Sequence, residues 1–375
     1  MAFASPLLAL ALTTLVGMLL FALLGKDPVR GLEMFFVEPL HGARALAELS
    51  VKATPLLLIA LGLSVAFRAN VWNIGAEGQF MLGAVAATGV AIRATPESGH
   101  GLVVLVLVAG TLGGMLWAAI AAFLRDRFNA NEILVSLMLV YVAEQLLSYL
   151  VYGPWKDPRG YNFPETVTFL DAARVPRLLE GSRANVGVLV ALACVVGVWF
   201  LLFRTHAGFK LTVGGLAPLA ARYAGFSARA ALWTAFLVSG GLAGLAGALE
   251  VSGPVAQLTT HVPVGYGFAA IIVAFVGRLH PVGAVFASVL MSMFYIGGEM
   301  SQSRLGLPKA LTGVFQGLLL FALLACDTLV DYRLRRRRPR AAVAPVPAST
   351  HADSPGVLRV AALEPRHVAG AAPKG

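Results

Sequence analysis

The chain has 375 residues, of which 58% are hydrophobic and only 13% charged, with a mean hydropathy of +0.78 and a formal net charge of +10. So small a polar share cannot clothe a water-soluble globule, which excludes a soluble enzyme or binding module and indicates a polytopic membrane protein. The positive charge does not point to nucleic acid: six arginines lie in one run, Arg333 to Arg340, directly after an apolar span, where anionic lipid at the cytoplasmic face is the expected partner.

A helix needs about 20 apolar residues to cross a bilayer. On that basis the chain predicts spans near residues 4–24, 48–67, 73–92, 101–124, 132–152, 185–203, 230–249, 264–277, 282–298 and 310–329. The first, uncharged from Met1 to Gly25 and lacking the basic start of a signal peptide, is read as a retained helix. The eighth and ninth are short and parted only by Arg278-Leu279-His280-Pro281, so a re-entrant hairpin is the alternative to two full spans. The expected fold is all-α, a polytopic transmembrane bundle of about ten helices. Ten spans put both termini on one side. The short loops holding Arg68, Arg125 with Arg127, Arg204 with Lys210, Arg222 and Arg229, and Arg278 share that side with the arginine run, which makes it cytoplasmic. A transmembrane domain is expected over 1–340, with a long cytoplasmic loop at 204–230. From 341 to 375 the chain turns to Ala, Pro, Ser and Val without helical period and is expected to be disordered.

Against this apolar background the stretch Asn70 to Gly83 stands out, because it carries Trp72, Asn73, Glu77 and Gln79 among Gly75, Gly78 and Gly83. A carboxylate at membrane depth costs roughly 2.5 to 3.5 kcal/mol on insertion scales and tends to face a bundle interior or a wet cavity. Irregular backbone there survives only under cover of protein or beside water. Trp72, Asn73 and Gln79 offer stacking and amide groups to a passing solute, although Trp72 also suits an interfacial anchor. A second glycine-bearing short span, Gly265 to Gly283, suggests a weak internal repeat, and paired broken spans point to a central pathway.

Glycines four apart, Gly110 with Gly114 and Gly240 with Gly244, indicate close helix packing. Asn129-Ala130-Asn131-Glu132 reads as the capped start of a helix. Within that helix Glu144 and Gln145 either line the pathway or bond a neighbouring helix. In the long cytoplasmic loop, Pro218-Leu219-Ala220-Ala221-Arg222-Tyr223-Ala224-Gly225 reads as a short helix begun at proline and ended at glycine. It lacks the Lys/Arg face of a membrane-resting helix and is read as a docking surface for a cytoplasmic partner.

No Walker loop occurs, nor a His-Glu-x-x-His or Gly-x-Ser-x-Gly motif, and no His or Cys cluster has metal-ligand spacing. Cys194 and Cys326 sit in apolar runs and read as small buried hydrophobes. The chain is therefore expected to be neither an enzyme nor a holder of metal or cofactor. With no row of buried acids or lysines to relay protons, an ion-coupled secondary transporter is the less favoured alternative.

In order along the chain, Asn73-Ile74-Gly75-Ala76-Glu77-Gly78-Gln79 with Leu82-Gly83-Ala84, Asn131-Glu132-Ile133, Ala220 to Gly225, and Gly265-Tyr266-Gly267-Phe268 with Gly277 to Pro281 resemble one family. It is that of the permease subunits of bacterial ABC importers for branched-chain amino acids, ribose and nucleosides, and the first motif resembles its nucleoside-type, basic-membrane-lipoprotein-linked branch. The resemblance covers about residues 45–330. It implies a type II-like permease in the bacterial plasma membrane, importing nucleosides, with simple sugars or branched-chain amino acids as alternatives. It also implies a second, homologous permease chain, a cytoplasmic ATPase with two nucleotide-binding modules, and an extracytoplasmic substrate-binding lipoprotein. Pro218, Ala220, Ala221, Arg222, Tyr223 and Gly225 fall at the family's coupling helix, which seats in the ATPase. The family often has Gly-x-Asn-Pro before this helix, whereas here it is Gly215-Leu216-Ala217-Pro218, which implies a more apolar contact.

Overall fold

Apolar length and glycine placement account for most of the architecture. In the computed structural model, which describes residues 4–99, 101–178 and 181–331, the described residues form thirteen α-helices and no strand. The arginine run Arg333 to Arg340 and the tail 341–375 lie outside the described residues.

Eight helices are long and apolar enough to cross a membrane. They are α1 (Ala4–Leu23), α3 (Ala43–Arg68), α5 (Leu102–Phe128), α6 (Glu132–Tyr152), α7 (Gly187–Arg204), α10 (Ala228–Ser252), α12 (Pro281–Leu305) and α13 (Ala310–Asp331). Two more, α4 (Ala76–Ala91) and α11 (Tyr266–Val276), occupy expected spans but are shorter. At about 1.5 Å per residue, α11 is roughly half a bilayer long. The remaining three helices are α2 (Pro28–Phe36), α8 (His206–Leu216) and α9 (Pro218–Tyr223). The alternative of a re-entrant hairpin over 264–298 is not what forms, since α12 is a full-length helix of 25 residues and only α11 is short.

Helix α3 is the axis of the described bundle, buried along most of its length from Val51 to Phe67 and touching α7, α10, α11 and α12. Around it, α4, α5 and α10 pack with almost no side chain between their backbones. A Cβ added to Gly114 would lie 2.6 Å from the Gly244 Cα, and one on Gly240 would lie 2.7 Å from the Gly114 carbonyl oxygen. A Cβ on Gly83 of α4 would overlap the same Gly244 backbone, lying 2.7 Å from its carbonyl carbon. Lipid gives apolar helices no reason to associate, so close backbone approach over such small residues is what holds them together. On the other flank, α1, α2, α12 and α13 meet in an aromatic cluster. Phe35 lies 4.6 Å from Phe315 and 6.2 Å from Phe294, and Phe21 lies 5.8 Å from Phe315, centroid to centroid.

The ion pairs of the described residues sort to the two ends of the bundle. At one end are α8, α9 and the α11–α12 turn, where Arg278 and Leu279 take left-handed φ values of 56° and 51°. There Arg278 bonds Ser5 near the start of α1 and Asp327 near the end of α13, so both terminal helices reach this end. Also there, Arg68 donates from Nε to the Leu279 carbonyl at 2.9 Å and lies over the Phe203 ring. His280 caps α12, its Nδ1 accepting from the Val282 N–H at 3.2 Å. At the opposite end Arg183, in the long 153–186 connection, grips Glu48 bidentately, with Nε 2.9 Å from Oε1. That carboxylate pushes the Arg183 guanidinium above its ordinary value. Lys52 pairs with Glu299 at 2.8 Å close by.

Candidate functional site

The broken span begins where α3 ends. After Arg68 the chain turns at Asn70, which holds a left-handed φ of 55°, and runs without helix to Gly75. Buried backbone of this kind needs partners, and it finds them. Ile74 N–H donates to Ser136 Oγ at 3.3 Å, and Gly75 N–H to Asn73 Oδ1 at 3.2 Å. Gly75 and Gly78 do not loosen the helix, as their residue type alone suggests. They let α4 lie against α6: a Cβ on Gly75 would sit 2.6 Å from the Ser136 carbonyl, and one on Gly78 3.1 Å from the Val140 Cα.

Asn73 and Gln79 are buried and clasp one another. Asn73 Nδ2 donates to Gln79 Oε1 at 2.8 Å and to Ser239 Oγ of α10 at 2.9 Å, while Gln79 Nε2 donates back to Asn73 Oδ1 at 3.0 Å. Expected as solute-facing amides, the two are here bonded to each other, and Asn73 also to α10. Glu77 is 2% exposed, and its carboxylate reaches across to the first turn of α11. It accepts from the Gly265 N–H at 3.0 Å and from the Gly267 N–H. The expected pathway carboxylate is thus an N-terminal clamp. Glu77 satisfies orphan amides of a short helix and places its charge at the positive end of that helix's dipole. Gly265, at φ 84°, supplies the left-handed entry to α11, and Gly267 lies so close that a Cβ there would be 2.5 Å from the Glu77 Cα. The two broken spans, separate in sequence, meet at their helix N-termini.

Trp72 is 38% exposed, the most open of the four polar and aromatic residues expected in this stretch. Its ring leans on Phe67 at 5.2 Å and Phe275 of α11 at 6.3 Å, and its Nε1 donates to Asn70 Oδ1 at 3.2 Å. Glu144 and Gln145 are exposed on α6, whose opposite side, Ser136, Val140, Ala143 and Leu147, is buried in the bundle. Helical spacing aligns them with exposed Tyr141, Tyr149 and Tyr152 and partly buried Ser148, which makes a polar and aromatic stripe down the outer face of α6. Sequence reasoning singled out the Glu and Gln but missed the tyrosines. Tyr149 and Tyr152, eight and eleven residues from Tyr141, share a helix face with Glu144 and Gln145, three and four residues from it, and that spacing was the available signal.

Pro218, Ala220, Ala221, Arg222, Tyr223 and Gly225 form the expected short helix. Proline opens α9 at its first position, where no N–H is needed. Gly225, at φ 77°, ends it in a Schellman motif: Gly225 N–H donates to Arg222 O at 3.1 Å and Phe226 N–H to Ala221 O at 2.9 Å. Ala221 is buried, whereas Leu216, Leu219 and Tyr223 project outward, the last 94% exposed. Leu219 and Tyr223 on α9, with Leu216 at the end of α8 beside them, form a row of large exposed groups suited to contact with another protein. α9 borders a groove shared with α8 and the start of α10, into whose lining Lys210, Arg222 and Phe226 enter. Among the described residues no group of three or more His, Cys, Asp or Glu could hold a metal ion.

The family described as the branched-chain amino acid transport system permease component matches residues 45–324. The chain belongs to this family of ABC permeases. The permease is 35% identical to the glucose ABC transporter permease protein TsgB13 of Haloferax volcanii, over 89% of this chain and 90% of that one. It is 30% identical to the guanosine ABC transporter permease protein NupP of Bacillus subtilis, over 82% and 89% of the two chains. It is 26% identical to the nucleoside ABC transporter permease protein NupB of Lactococcus lactis, over 84% and 89%. A further permease from each of these three organisms, TsgC13, NupQ and NupC, also matches, at 30%, 28% and 23% identity. No solved structure matches. This multi-pass membrane protein is accordingly the permease component of an ABC system, in which a partner ATPase hydrolyses the nucleotide and a binding protein presents the solute.

Proposed function

We propose that the permease forms one half of the pathway through which an ABC importer carries nucleosides into the cell, and that the α6 stripe and Trp72 line it. The observation that carries this reading is the exposure of Glu144 and Gln145 on a helix of membrane length. A carboxylate turned toward acyl chains is expensive, so this face belongs against water or another polar surface. Tyrosines interleaved with a carboxylate and an amide offer a flat base somewhere to stack and a ribose somewhere to hydrogen-bond. Glu77, Asn73 and Gln79 act behind this wall, fixing the short helices α4 and α11 whose N-termini meet.

The half-pathway is completed by a second, homologous permease, and a heterodimer is favoured by the three organisms in which two permeases resemble this chain. The end carrying α8 and α9 is cytoplasmic, with both chain termini. There α9 seats in an ATPase with two nucleotide-binding modules, through Leu216, Leu219 and Tyr223. Arg333 to Arg340 meet anionic lipid on the same side. A substrate-binding lipoprotein docks at the opposite end, beside the Glu48–Arg183 pair. ATP binding closes the ATPase, displaces the two coupling helices and exchanges outward-open for inward-open arrangements. Solute and ATP each act by preferring one arrangement.

A second reading, import of a simple sugar, is favoured by the glucose relative at 35% identity. The two are separated by calorimetric titration of the cognate binding protein with guanosine, adenosine, ribose and glucose. Nucleoside binding in preference to free sugar is the expected result, and glucose binding without nucleoside binding overturns it in favour of the sugar.

A further inference from the structure

We propose that Asp126 is a positioning residue that locks α5 to α10, so that displacement of α9 turns the two helices together and moves α6 with them. The proposal rests on α9 being the ATPase contact, as proposed above.

The connection between α9 and α10 is the short stretch 224 to 227, held by the Schellman turn and by Ser227, whose Oγ accepts from the Ala230 N–H at 3.2 Å. Motion of α9 therefore arrives at the first turn of α10 with little slack. What α10 can do with it depends on α5. On α5 the residues every fourth position, Gly110, Gly114, Ala118 and Ala122, form a small-residue face, and on antiparallel α10 they meet Ala248, Gly244, Gly240 and Phe236. Such faces allow close approach but have few interdigitating side chains to resist one helix rolling or sliding along the other.

The next position on the α5 face is Asp126. Its Oδ2 accepts from Arg229 Nε at 2.6 Å and from Trp233 Nε1 at 3.1 Å, two donors one turn apart on α10. The carboxylate is 12% exposed while Arg229 is 72% exposed. An ion pair with one partner mostly in water adds little to stability, and the glycine packing already holds the helices together. What the paired donors fix is register. One residue back, Arg125 donates to the Ala130 carbonyl and pairs with Glu132 at 3.3 Å in the first turn of α6. The end of α5 thus grips α10 with one side chain and the start of α6 with the next. The physical chain runs from α9 through α10, Asp126 and Arg125 to the helix that carries Glu144 and Gln145.

The test uses the complete importer in proteoliposomes, with solute imported per ATP hydrolysed as the readout. D126A is expected to lower this ratio about threefold to tenfold, within the range that such couplings span, while the complex assembles and hydrolyses ATP at an undiminished rate. The swap D126R/R229D, which restores the ion pair in reverse but leaves Trp233 Nε1 without its acceptor, is expected to recover part of the ratio. That recovery is a result a merely structural aspartate does not predict. Y223A is run alongside. If Y223A uncouples while D126A leaves the ratio unchanged, the proposal is overturned and the role of α9 stands. An unchanged ratio in Y223A means that the reading of α9 itself is wrong. If D126A fails to assemble, the swap decides: recovered coupling supports the lock, and an assembled swap with lost coupling overturns it.

Discussion

Glu77→Ala removes the acceptor for two N–H groups at the start of α11, that of the partly buried N-cap Gly265 at 3.0 Å and that of the buried Gly267. Hydrogen bonds to a charged group contribute about 1.5 to 3 kcal/mol each, and the burial of Gly267 allows no water to replace its bond, so the two together contribute about 3 to 6 kcal/mol. That is comparable with much of the roughly 5 to 15 kcal/mol by which a typical domain is stable. The loss falls on a helix of eleven residues, too short to hold itself without its neighbours. Hydrogen exchange of the purified permease therefore shows the α11 amides exchanging at least ~100-fold faster in Glu77→Ala, the factor that about 3 kcal/mol implies. The amides of α5 and α10, which do not depend on this clamp, are affected far less. Glu77→Gln keeps one oxygen for one N–H but turns an NH2 toward the other, and gives an intermediate result. Unchanged α11 exchange in Glu77→Ala would refute the clamp.

Three further outcomes follow from the same geometry. Asn73→Ala or Gln79→Ala strands a buried amide and costs about 1 to 3 kcal/mol in a thermal melt, whereas a double apolar replacement of similar shape costs less than the two single losses combined. Gly114→Val forces a side chain onto the Gly240 and Gly244 backbone and prevents a monodisperse permease on gel filtration, while Gly197→Val, with open space around it, does not. Burial, aided by the nearby Arg68 charge, pushes His280 below its ordinary value. Its neutral form is therefore the one the fold prefers, and that contribution is complete above the ordinary histidine value and lost as pH falls through the lowered one. Protonation also removes the Nδ1 lone pair that caps α12. Between pH 7.5 and pH 5 the wild type loses up to about 1 kcal/mol more than His280→Asn, which caps without titrating, in pH-dependent melts.

Much of this was readable from residue type and spacing. Runs of about twenty apolar residues marked the eight long helices, and Pro218 with Gly225 marked α9, because punctuation of that kind acts locally. α8 was missed because Gly208, Gly214 and Gly215 make it look like loop. Gly208 and Gly215 serve close approach, as a Cβ on Gly208 would lie 2.5 Å from the Leu202 carbonyl and one on Gly215 3.0 Å from the Ala69 carbonyl carbon, whereas Gly214 faces open space. α2 was missed because nine residues carry too little pattern and its burial depends on the distant Phe294 and Phe315. The roles of the acids were legible least. Glu77 and Glu144 are both carboxylates in apolar spans, and the costs of burial treat them alike. Only the amides of Gly265 and Gly267, far along the chain, make the first a clamp, and only the outward turn of α6 leaves the second free.

The central claim is that the outer face of α6 borders water in the working importer. Cysteine substituted at Gln145 in an assembled, otherwise cysteine-free transporter tests it most directly, with Leu116→Cys on the exposed face of α5 as the lipid-facing control. A charged, membrane-impermeant thiol reagent is predicted to label position 145 and to spare position 116, with added nucleoside slowing the labelling. Labelling of position 145 by lipid-soluble reagents alone, at the rate seen for position 116, contradicts the account.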